Sequence, residues 1–169
     1  MSDFAATLDA QRTAFKASVG STTKRKKSLN ASTSEVVAQL RSTVLGLTHR
    51  VADVIQARLT QATLALQTSN DVDQFSVVVD QLFHEARNMV TNNLNASYDK
   101  AKQLAENGDH ETQDAVIQLM NQATALFQAI LLRIFDFLIN AIQTLPEWRR
   151  DSDKIKAFFS NLSAFINRF

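Results

Sequence analysis

Apolar residues recur at helical spacing along almost the whole of this chain. Val37, Leu40, Val44, Leu47, Val51, Ile55, Leu59, Ala62 and Leu66 follow one another at intervals of three or four, the period at which side chains share one helix face. This stripe predicts a helix from Ser32 or Ser34 to about Gln67. Thr68–Asp71 read as a turn. Asp71 or Asp73 is placed to cap a third helix reaching about Glu106, with Phe75, Val79, Leu82, Ala86, Met89, Val90, Leu94, Tyr98, Ala101 and Leu104 on its inner face. Asn107 and Gly108 are expected to stop it, because both tolerate the left-handed conformation at a helix end. Asp109 then caps a fourth helix to about Leu145, where Pro146 forbids simple continuation.

Two shorter elements flank these three. Phe4, Leu8, Phe15 and Val19 predict a first helix from about Asp3 to Val19, ended by Gly20. Residues 19–31 form a basic polar linker, and Ser21–Ser28 within it contains no apolar residue. A last helix, starting near Pro146, Asp151 or Ser152, carries Ile155, Phe158, Phe159, Leu162, Phe165, Ile166 and Phe169 on one side and Lys154, Lys156 and Arg168 on the other. The expected fold is all-α: one domain over 1–169, an elongated, mainly antiparallel bundle of about five helices, three of them long. From Ala125 to Ile142 the fourth helix is apolar over most of its circumference, with a polar stripe of Arg133, Asp136, Asn140 and Gln143. It is expected to be the most enclosed element, with Ile130, Ile134, Phe137 and Leu138 at the centre of the core. Gly46, inside the longest stripe, marks either a close helix contact or a bend.

Composition sharpens this picture by exclusion. Among 169 residues there are three Gly, one Pro and no Cys, so disulfides, thiolate metal sites and thiol nucleophiles are ruled out. The net charge of +1 hides an asymmetry. Residues 1–60 hold nine Lys/Arg against four Asp/Glu, residues 61–120 three against nine, and residues 121–169 six against four. Attraction between neighbouring helices is the favoured explanation, ahead of a basic surface for an anionic partner. The start of the chain lacks the basic segment and apolar run of a secretory signal, so a cytoplasmic protein is expected.

Little in the sequence suggests chemistry. His49 has Asp53 four residues on and His84 has Asp80 four residues back, so each pair shares a helix face, but both histidines fall on the outward side of their stripes. Surface histidines are the better reading, and His110 stands in the first turn of its helix. There is no Glu-x-x-His pair for a di-iron bundle, no Gly-rich phosphate loop and no Gly-x-Ser-x-Gly elbow. No catalytic residue, metal ligand or cofactor is assigned.

Three features bear on partners. Lys24, Arg25, Lys26 and Lys27 form the densest cationic run and are the candidate contacts for an anionic partner, although solvated linkers often look the same. Nucleic acid is disfavoured, because no basic helix with interleaved aromatics accompanies the run. The apolar stretch 125–142 is long enough to span a bilayer, but Arg133 and Asp136 would each cost roughly 2.5–3.5 kcal/mol there, which argues against a permanent transmembrane span. Spaced three apart, these two could pair on the helix surface. The Phe-rich face Ile155, Phe158, Phe159, Leu162, Phe165, Ile166 and Phe169 either packs as core or serves as a detachable lipid or partner surface.

The leading functional expectation is a non-enzymatic interaction or scaffold protein acting through amphipathic helix packing and self-association. The alternative is reversible binding to a membrane or droplet surface by opening of the helices. A pore-forming helical protein or a small-molecule carrier comes third, together with an enzyme of unfamiliar design. In the style of its several cysteine-free amphipathic helices the chain resembles exchangeable apolipoproteins and polyester-granule phasins, a likeness of architecture that carries over no residue.

Overall fold

A computed structural model describes residues 2–14, 31–144 and 153–169. The protein is an all-α bundle with three long helices: α1 (Ser2–Ala14), α2 (Ala31–Ser69), α3 (Val72–Ala105), α4 (His110–Gln143) and α5 (Asp153–Asn167). No strand occurs among the described residues. Phe15, Val19, Gly20, the cationic run Lys24–Lys27 and the connection through Pro146 lie outside the described residues, and α2 already begins at Ala31, the last position of the expected linker.

The helix ends follow from their caps. Asp71 Oδ1 accepts the backbone N–H of Gln74 at 3.0 Å, and Asp109 Oδ1 that of Thr112 at 2.8 Å, so each aspartate satisfies a donor that the first helical turn leaves unpaired. At the other end of α3, the Gln113 side-chain amide donates to the carbonyls of Ala105 and Glu106 at 3.1 and 3.2 Å. The left-handed residue is not where the sequence placed it. Asn70, with φ 57°, turns the chain between α2 and α3, and neither Asn107 nor Gly108 has a positive φ. Gly108 instead makes a close approach, since a Cβ there would lie 3.2 Å from Thr112 Cγ2 and 3.3 Å from the Ala105 carbonyl.

At Gly46 one of the two expected readings, a close helix contact, falls away. A Cβ built on it meets nothing within 4 Å, so no close helix contact requires glycine. Replacement by alanine removes backbone freedom from the unfolded chain at no steric cost, and is expected to raise stability by up to about 1 kcal/mol, seen as a higher denaturant midpoint.

The helices contribute to two compact units, Met1–Leu47 with Thr91–Gln128 and Phe169, and Thr48–Val90 with Ala129–Arg168. In the first, Phe4 and Leu8 of α1 are buried, as are Leu40 and Val44 of α2, Leu94, Tyr98 and Ala101 of α3, and Met120, Ala123 and Phe127 of α4. Paired hydroxyls are built into this core. Thr33 and Thr112 Oγ1 lie 2.7 Å apart, and the Tyr98 hydroxyl lies 2.8 Å from Thr124 Oγ1, which donates to the Met120 carbonyl. Arg12 meets Asp99 at 2.8 Å and sits over the Tyr98 ring, while Lys102 meets Asp9 at 3.4 Å.

Burial raises the Tyr98 hydroxyl above its ordinary pKa of 10.0, against smaller lowering effects from the Thr124 hydrogen bond and the Arg12 charge. The folded state therefore holds this proton more tightly than the unfolded chain. The resulting stability is complete below about pH 10 and is lost as pH rises through the folded value. Tyr98→Phe should cost about 1 kcal/mol at neutral pH by removing one buried hydrogen bond. Alkaline titrations of stability should show a smaller fall in the variant than in the parent.

The second unit is a four-helix arrangement. The turn at Asn70 sets its parts of α2 and α3 antiparallel, with Arg58 of one paired to Glu85 of the other. Phe83 meets Phe135 edge-on at 5.1 Å and ties α3 to α4. Phe137 stacks on Phe158 at 3.9 Å, and Arg133 lies 4.1 Å over the Phe165 ring, so α5 runs back along α4. The described partner of Arg133 is thus this ring rather than Asp136. His49 and Asn167 close the circuit from α5 to α2. Val51, Ile55, Leu59, Val79, Leu82, Ala86, Ile130, Ile134, Leu138, Ile155, Phe159 and Ile166 form the core.

One expectation for α4 changes and another holds. Ile130, Ile134 and Leu138 are fully buried, but Phe137 is only half-buried, because it points along the α4–α5 seam toward Phe158. α4 is the most enclosed of the long helices, with 13 of its 34 residues buried against 10 of 34 in α3, although Leu132 and Ile139 are 57% and 45% exposed.

Candidate functional site

Four places in the described residues were candidates for function. The first is a groove of about 450 Å³ within the second unit, lined by His49, Ala52, Asp53 and Gln56 of α2 and by Lys156, Phe159, Ser160, Ser163, Ala164 and Asn167 of α5. It exists because small side chains occupy the seam while polar ones stand at its rim. The imidazole Nε2–H of His49 donates to Asn167 Oδ1 at 2.8 Å. A nucleophile–base pair would need a serine hydroxyl in that place, so the groove presents a cation, a carboxylate and two hydroxyls without a recognisable relay.

The remaining histidines are dispersed. His84 and His110 are exposed, and among the described residues no three His, Asp or Glu side chains gather as metal ligands. The outward placement of His84 follows the reading of its helix stripe, whereas His49 is half-buried by its contact with Asn167.

The Phe-rich face of α5 is packed. Ile155, Phe159, Leu162 and Ile166 are buried, and Phe158, Phe165 and Phe169 are half-buried. Phe169 belongs to the first unit, where the Arg41 guanidinium lies over its ring and donates to its backbone oxygen. Lys156 and Arg168 are exposed beside this face.

Sequence reasoning passed over the fourth place. Leu132 and Ile139 of α4 are exposed on either side of Phe135, whose half-buried ring contacts Phe83 of α3. Arg87, exposed on α3, lies 5.7 Å over the Phe135 ring, and Asp80 is exposed two turns further back on the same helix. The result is an apolar strip on the outer α3–α4 face of the second unit, with Asp80 and Arg87 exposed on its α3 side and Asp136 exposed between Leu132 and Ile139 on α4. Its signal was present in the sequence as a second stripe, Leu132–Phe135–Ile139, on a helix already credited with the stripe Ile130–Ile134–Leu138. Comparison with family models, with curated proteins and with solved structures finds no match for this chain.

Proposed function

We propose that this chain is a non-enzymatic interaction protein that works as a closed helical bundle, docking the outer α3–α4 face of its second unit onto a protein partner. The observation that carries this reading is the exposure of Leu132 and Ile139 around the Phe83–Phe135 pair. Aliphatic side chains beside part-buried aromatics and an arginine stacked on one of them have the composition of an interface centre, where a partner would remove the remaining apolar surface from water. The lipid-surface alternative draws on a different feature, the α5 face. It requires Ile155, Phe159, Leu162 and Ile166 to leave a core in which they are buried, at roughly 1.5–3 kcal/mol for each side chain.

The test is a photoreactive amino acid placed at position 132 in the full chain, with position 67 on the exposed polar side of α2 as the control. Protein adducts in cells at 132 and not at 67 are the expected result. Lipid adducts at 132, or no adduct there, would overturn the proposal.

A further inference from the structure

We infer that the partner on this face is a protein helix that sets a lysine or arginine between two apolar residues about one heptad apart, with the cation opposite Asp136. The inference rests on the proposed function and adds the chemistry of the partner. Its basis is the one interruption of the apolar strip on α4. Asp136 stands four residues after Leu132 and three before Ile139, and all three are exposed. Four and three residues of helix rise about 6 and 4.5 Å, so the carboxylate lies between the two aliphatic side chains on the same side of the helix. Among the described residues nothing pairs with it. Arg133, three residues back, lies over the Phe165 ring, and Arg87 lies over the Phe135 ring, neither with an ion pair to Asp136. Asp80 has no ion pair either. Because α4 runs back along α3 and Phe83 touches Phe135, Asp80, three residues before Phe83, falls at the Ile139 end of the strip, and Arg87, four residues after it, at the Leu132 end.

A partner that covers Leu132 and Ile139 also withdraws Asp136 from water. A carboxylate taken out of water needs a cation beside it, because its desolvation is otherwise not offset. A lysine or arginine reaching Asp136 meets that need, and apolar residues one turn to either side of it meet Leu132 and Ile139. A helix holds three such groups in this order, since its own positions three and four apart repeat the spacing on α4. Other occupants fail on the same carboxylate. Lipid acyl chains offer it no partner, and anionic headgroups repel both Asp136 and Asp80. A second copy laid strip to strip brings two acids and one arginine from each side, so like charges prevail across the contact. The acids therefore select the partner, while the aliphatic side chains supply the burial.

Capture from position 132 of the full chain in cells tests this when Asp136 is varied and the captured segment is sequenced by mass spectrometry. With Asp136→Glu the yield of protein adduct is expected to hold, with Asp136→Asn to fall, and with Asp136→Lys to fall roughly tenfold or more. Asp80→Lys changes a charge at the edge of the strip and should lower the yield less. Asp136 is exposed and unpaired, so the thermal midpoints of its variants should match the parent, and retention by the glutamate variant separates charge from folding. The captured segment should carry a lysine or arginine within one helical turn of the crosslinked residue. A yield indifferent to the charge at 136, a segment without such a cation, or a segment belonging to this chain overturns the inference while the proposed function stands. If the parent chain yields no protein adduct at 132, both fail.

Discussion

Replacing Ile134 by alanine is expected to destabilise the protein by about 2–5 kcal/mol, and replacing the larger Phe137 to cost clearly less than the 3–5 kcal/mol of a fully enclosed phenylalanine. The order is the reverse of what side-chain size suggests. Ile134 is completely buried between Ile130 and Leu138, so truncation leaves a cavity that four packed helices cannot readily fill. Phe137 is half-buried, its ring stacked on Phe158 and edge-on to Phe159. Its loss forfeits an aromatic contact worth about 0.5–1.5 kcal/mol and some burial, but water can enter the space. Denaturant midpoints of the two variants, read at constant slope, check the ranking. A Phe137→Ala variant as damaged as Ile134→Ala would mean that the α4–α5 seam is closed more tightly than the packing described here.

The larger effect is expected from removing α5 altogether. Deleting 153–169 withdraws Ile155, Phe159, Leu162 and Ile166 from the second unit. At roughly 1.5–3 kcal/mol for each buried side chain, that loss is comparable to the whole stability of a typical domain, about 5–15 kcal/mol. The remainder should keep most of its helical circular dichroism while binding an apolar dye and aggregating, because Ile55, Ile134 and Leu138 lose their cover. In the intact chain, amides across 155–166 should exchange about as slowly as those across 130–138, since both belong to one core. Fast exchange confined to α5 would instead mark it as a detachable element and favour the lipid-surface reading of its Phe-rich face.

The helices themselves were legible in the sequence because their caps are local: Asp71 and Asp109 act within three residues of themselves, and the stripe from Leu40 to Leu66 is regular enough to fix one face. Orientation around α4 was not legible. A helix apolar over most of its circumference gives periodicity too little contrast to say which arc meets the core, so Phe137 was placed too deep and Leu132 and Ile139 were not recognised as exposed. Distant polar pairings were equally hidden. Tyr98 with Thr124 and Thr33 with Thr112 join hydroxyls whose own helices offer local acceptors, and nothing in their spacing selects the partner. His49 reaches Asn167 across 118 residues, a contact that only the packing of α5 beside α2 creates. The charge asymmetry was partly informative: Arg12–Asp99 and Arg58–Glu85 join the basic first third to the acidic middle as expected, whereas Lys102–Asp9 runs the other way.

That the bundle works closed, through its outer α3–α4 face, is tested most directly by side-chain footprinting of the full chain in cells against the dilute purified protein. Labelling of Leu132, Phe135 and Ile139 is expected to fall in cells while labelling of Ile155, Phe159 and Leu162 stays equally low in both. Equal labelling of Leu132 and Ile139 under the two conditions, or increased labelling of the α5 residues in cells, would contradict it.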